Sequence, residues 1–119
     1  MSYQQILESL VGGREGFRAA VLLDPDGETV VSAGRDGDPH SHRVLGAYQG
    51  IYLRDLARAL THCGMGSVEF FSFHTPEFHV FTESLVEGYY LVLLAAESVA
   101  PGIARKDLSD AAARLREIW

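Results

Sequence analysis

Residues 17–23, Phe-Arg-Ala-Ala-Val-Leu-Leu, constrain this chain more than any other stretch. Successive side chains of a strand point to opposite faces of its sheet. Here Phe17, Ala19, Val21 and Leu23 make one set and Ala20 and Leu22 the other, and both are apolar. Such a strand needs cover on both sides. The run breaks at Asp24-Pro25-Asp26-Gly27, and Thr29–Ala33 follows as a short strand rich in β-branched residues. Pro25 presets φ and Gly27 accepts a positive φ, so the four residues predict a hairpin turn.

The remaining elements follow from periodicity. Ser2 is placed to cap a helix running to about Val11, with Ile6, Leu7, Leu10 and Val11 on one face and Gly12-Gly13 as its stop. Gly34–His42 has turn composition throughout. A proline-free helical stretch then runs from about Ser41 to Cys63, with Gly64 beyond it. Three strands are expected next, over Val68–His74, Phe78–Leu85 and Tyr89–Ala96. Pro101 opens a last helix with Leu108, Ala111, Ala112, Leu115 and Ile118 on its buried side and Trp119 packed beside them. The order is α-β-β-α-β-β-β-α. It predicts an α+β, three-layer α-β-α sandwich in one domain over residues 1–119, the central helix on one sheet face and the terminal helices on the other.

Composition removes several function classes. The 119 residues suffice for one core, and the formal net charge of −6 disfavours contact with phosphate backbones. No apolar run approaches the roughly 18 residues of a membrane span, so no membrane insertion is expected. The opening residues lack a basic stretch followed by an apolar one, and Cys63 is the one cysteine. Both features suit a cytoplasmic location.

Candidate chemistry is sparse. In phosphatases of the haloacid dehalogenase class, a strand ending in Asp-x-Asp-Gly presents a nucleophilic carboxylate. That reading would make Asp24 the nucleophile and Asp26 the acid. The immediate return strand places both carboxylates at a hairpin tip instead, and no later acidic pair with a lysine follows. An EF-hand fails because Gly27 falls at the fourth loop position and not the sixth. His40 and His42 lie in the polar loop, while His74 and His79 flank a tight turn and face each other across it. Two histidines fall short of the three or four ligands a metal site wants. Gly34–Gly37 lacks the lysine and glycine spacing of a phosphate loop. Cys63 reads as a small buried side chain. No catalytic residue, cofactor or metal is expected.

The central helical stretch says more. At 100° per residue, Leu45, Tyr48, Tyr52, Leu56, Ala59, Leu60 and Cys63 form a broad sheet-facing stripe. Gly46, Gly50 and Ala57 form a second, narrow stripe with Leu53 beside it. Each glycine costs roughly 1 kcal/mol in a helix, which suits a place where another backbone approaches closely. Arg43, Arg54 and Arg58 flank that stripe as candidates for partner contact. Strand 68–74, with Val68, Phe70, Phe71 and Phe73, follows a long crossover and is expected at a sheet edge that recruits a second copy. The expected self-association surface is thus Gly46, Gly50, Leu53, Ala57, Val68 and Phe70.

Two segments carry a family resemblance. Residues 19–34, AAVLLDPDGETVVSAG, resemble the first hairpin of roadblock-type domains. YYLVLLA, a Pro-Gly connection and DLSDAAARLREI resemble their last strand and helix. The element order matches over nearly the whole chain. The resemblance implies a five-stranded antiparallel sheet between helices, akin to longin and profilin architecture. It also implies dimers joined through edge strands and central helices. Bacterial MglB-like members bind small Ras-like GTPases as activators or regulators, and other members serve dynein and lysosomal assemblies. The implied role is therefore a homodimeric GTPase regulator without a catalytic site. The alternatives are a scaffold subunit of a signalling or motor assembly, or a small-molecule sensor using the sheet–helix crevice.

Overall fold

The computed structural model of the chain describes residues 2–34, 69–74 and 78–119. Within them run α1 (Tyr3–Gly12), β1 (Phe17–Leu23), β2 (Thr29–Gly34), β3 (Phe70–His74), β4 (Phe78–Ser84), β5 (Tyr90–Ala96) and α2 (Pro101–Glu117). The strands form one antiparallel sheet in the order β2-β1-β5-β4-β3. β5 therefore joins the β1–β2 hairpin to the β3–β4 hairpin. The central helical stretch expected over 41–63 lies outside the described residues.

Both terminal helices lie on one face of the sheet, as the apolar spacing predicts. Ser2 caps α1 through a reciprocal pair of bonds with Gln5. Gly13 caps the far end with ordinary right-handed helical φ, so the positive φ that glycine permits is not used there. Ile6, Leu7, Leu10 and Val11 of α1 and Ala104, Leu108, Ala111, Ala112 and Leu115 of α2 pack on Phe17, Ala20, Leu22, Phe81, Leu91, Leu93 and Ala95. Burying each large side chain contributes about 1.5–3 kcal/mol. The opposite face buries Ala19, Val21, Leu23, Val80, Val92 and Leu94. Both faces of β1 are covered, as its composition requires.

Two irregularities change the expected face assignments. The β1–β5 register shifts between Phe17 and Ala19, so one extra residue of β1 stands against β5. This bulge moves Phe17 to the helix-facing core, among Ala20 and Leu22, and away from the alternation with Ala19. A second shift, where Leu22 pairs with Val31 and Leu23 with Thr29, leaves Val30 unpaired and 45 % exposed. At the end of α2, Ile118 is 42 % exposed and not buried as the helical spacing suggests, because α2 stops at Glu117.

The Asp24–Gly27 segment is a turn held by its own aspartate. Gly27 has φ +84°, and its N–H donates to the Asp24 carbonyl at 2.9 Å. The N–H groups of Asp26 and Glu28 both donate to Asp24 Oδ1 at 2.9 Å. That carboxylate is therefore committed to turn geometry and not presented as a nucleophile. Asp24→Ala is expected to lower stability by about 1 kcal/mol, because two backbone donors lose their acceptor. Asp24→Asn, which keeps an oxygen there, retains most of it. Urea unfolding of the two variants separates the readings, and equal losses would mean that the charge matters and the acceptor does not.

Candidate functional site

The outer border of the sheet at β3 is the strongest candidate for contact with another chain. Among the described residues β3 is an edge strand, paired with β4 alone. The Ser84 N–H donates to the Glu69 carbonyl at 2.8 Å, which sets the alternation of the ladder. Phe71 and Phe73 then turn their backbone polar groups toward β4, and Phe70, Ser72 and His74 turn theirs away from it. An outward row of this kind is a template for a further strand.

Of the residues expected at the self-association surface, the described part contains Phe70. Its backbone lies on the edge, but its side chain packs on the helix-facing core. The ring sits 6.3 Å from that of Phe81, with the Arg105 guanidinium 4.1 Å above it. Gly46, Gly50, Leu53, Ala57, Val68, Arg43, Arg54 and Arg58 lie outside the described residues, as do His40, His42 and Cys63.

Residues the sequence reading passed over surround Phe70. Arg105, Ser109 and Arg116 of α2 fall within about 40° of one another on a 100° helical wheel, beside the buried stripe. Ser109 Oγ donates to Glu83 Oε1 at 2.5 Å. Arg116 Nη2 donates to the Ser84 carbonyl at 2.7 Å and lies 3.6 Å from Glu83 Oε2. Arg105 and Arg116, with Glu69, Glu83 and Leu85, border a cleft of about 320 Å³ between α2 and the sheet edge. Its alternating guanidiniums and carboxylates suit polar recognition of a protein surface. The spacing 105, 109, 116 was the signal available for it in the sequence.

The other end of β3 carries a histidine pair. His74 and His79 are register partners, as expected, with ring centroids 3.6 Å apart. His79 also stacks on Phe81 at 4.0 Å and is 5 % exposed. Among the described residues no cluster of three or more metal-ligating side chains occurs. Burial, and then the neighbouring His74, push the His79 imidazole below the ordinary histidine range. Below about pH 6.5 the folded chain therefore binds fewer protons than the unfolded one. Stability is full above that pH and is lost as the pH falls toward the lowered value. Unfolding midpoints at pH 8.0 and pH 5.5 are expected to differ, and His79→Phe is expected to flatten the difference. An unchanged pH slope in that variant would assign the effect to other groups.

A comparison with protein-family models finds no match, and a comparison with curated protein sequences finds none. Solved structures do match. A roadblock/LC7 domain from Streptomyces avermitilis superposes with TM-score 0.85 at 20 % identity, over 97 % of this chain and 95 % of that one. An MglB in a tetrameric arrangement gives 0.84 at 17 % identity, over 98 % and 86 %. MglC from Myxococcus xanthus gives 0.74 at 26 % identity, over the whole of both chains. Among the described residues no helix is long and apolar enough to cross a membrane. With five antiparallel strands and two helices on one face among its described residues, this chain has the fold of roadblock/LC7 domains.

Proposed function

We propose that residues 1–119 form a single roadblock-like domain that self-associates and, as a dimer, regulates a small Ras-like GTPase. The observation that carries this reading is β3, an edge strand with outward backbone groups in a sheet of roadblock/LC7 fold. The tetrameric arrangement of a similar MglB and the full-length match to MglC support self-association and a place in a regulatory assembly. Two copies related by a two-fold axis pair their β3 strands in antiparallel fashion and extend the sheet. The proposed surface is Gly46, Gly50, Leu53, Ala57, Val68 and the backbone of Phe70. Arg43, Arg54 and Arg58 flank it as the GTPase-facing residues.

The mechanism is differential binding. A dimer surface that prefers one nucleotide state shifts the switch loops toward that state, and the chain needs no catalytic group, cofactor or metal for it. The carboxylates at its best catalytic motif support this reading, since Asp24 is spent on its own turn.

Ser72→Pro tests the edge. The proline removes an N–H that points away from β4, so the chain's own ladder is spared while pairing with a second copy is not. Two lost bonds per dimer are expected to weaken self-association about tenfold or more, read by light scattering across a dilution series. Unchanged circular dichroism confirms the fold, and an undiminished dimer would move the interface off β3. Hydrolysis by Ras-like GTPases of the same genome, with pull-downs in both nucleotide states, tests the rest. Acceleration with state-selective binding supports a regulator, and binding without acceleration supports a scaffold.

A further inference from the structure

Three aromatic rings from distant parts of the chain meet where β1 and β4 end and β2 and β5 begin. Trp119 lies edge-on to Tyr89, with centroids 4.5 Å apart, and tilted against Tyr3 at 5.7 Å. Trp119 remains 38 % exposed despite both contacts, and Ile118 beside it is 42 % exposed. A ring held between two others yet open to solvent is pre-positioned, so a ligand stacking on it orders little more.

The surroundings specify the charge of that ligand. The β1–β2 turn touches the β4–β5 turn, with Pro25 3.3 Å from where a Cβ on Gly88 would stand. Exposed Asp26, Glu28 and Glu87 come from these two turns, and exposed Glu117 precedes the indole by two residues. Arg116 is tied to the Ser84 carbonyl and Glu83. Aromatic faces are electron-rich and attract cations, and an acidic rim adds to the same potential.

We propose that this end of the molecule docks an extended, arginine- or lysine-bearing segment of another protein. One cationic side chain stacks on Trp119, and the acidic rim holds its neighbours. The proposal does not rest on the GTPase reading.

Trp119 is the one tryptophan of the chain, so its emission reports on the site directly. The full chain is titrated with a Gly-Ser peptide carrying four arginines and with an analogue carrying glutamates instead. The basic peptide is expected to give a saturable emission change that falls with added salt, and the acidic peptide none. Glu87→Gln with Glu117→Gln is expected to weaken binding about tenfold, as loss of two charge contacts beside a ring implies. Glu15→Gln with Glu97→Gln makes the same charge change at the opposite end of the sheet and is expected to leave binding within about twofold. The absence of a saturable change, an equal response to the acidic peptide, or equal weakening by the two variant pairs would each overturn the proposal. The last of these would show diffuse attraction to an acidic protein.

Discussion

Everything in this fold hangs on β5. Among the described strands it joins the two hairpins, pairing with β1 on one side and β4 on the other, and Leu91 to Ala95 are buried without a break. A central strand of that kind satisfies its backbone groups on both sides and its side chains on both faces. The consequence is that, among the described residues, the sheet is bordered by β2 and β3, and the two are not equivalent. At β2 the ladder is broken by the Val30 bulge, and Gln4 Nε2 from α1 donates to the Ser32 carbonyl at 2.8 Å. Bulges and covering contacts blunt an edge against further pairing. β3 keeps a regular five-residue register with β4. Among the described strands, this asymmetry favours β3 as the edge used in the proposed self-association.

Much of this was legible in the residues. The double apolar alternation of β1, the Asp24–Gly27 turn, the Ser2 cap and the helix-facing stripes of α1 and α2 are local patterns, and each appears where its period predicts. β3 as an edge also followed from its place after a long crossover. The facing of Phe17 and the exposure of Val30 did not, because a bulge is set by pairing partners far away in the chain and leaves no periodic trace. Ile118 was misassigned because helical spacing does not say where the helix stops. The residues singled out for contact with a partner lie, apart from Phe70, outside the described part.

The surroundings of Phe70 show what a sequence withholds even when it points to the right strand. The phenylalanine was read as an interface residue, and its backbone is on the edge. Its ring is nevertheless held between Phe81 and Arg105, both of its own chain. An arginine stacked on a phenylalanine adds planar hydrogen-bond donors beside the ring, which suits contact with another surface. The edge is thus polar at its helix-facing rim, with Glu83, Ser109 and Arg116 in one network behind it. In the proposed dimer such a rim would set register and orientation, while the ladder would supply the affinity.

The geometry of the strands separates the histidine pair from the aromatic end, whereas the Phe70 end of β3, opposite Glu83, lies level with the start of β5. β5 runs from Tyr90, next to the Tyr89–Trp119 contact, to Ala96, which pairs with Phe78 beside the His74–His79 stack. Seven residues at about 3.3 Å each put roughly 20 Å between the two ends of the sheet. Strand addition along β3 runs parallel to that axis at the sheet's border, and it leaves the Trp119 end uncovered. A dimer built on β3 would present two such ends, one from each copy, related by its two-fold axis. A partner with two basic segments would then bind both, and its apparent affinity would rise through effective concentration without any new contact. In the proposed dimer, recognition at the two aromatic ends would thus be reinforced by self-association at the edge.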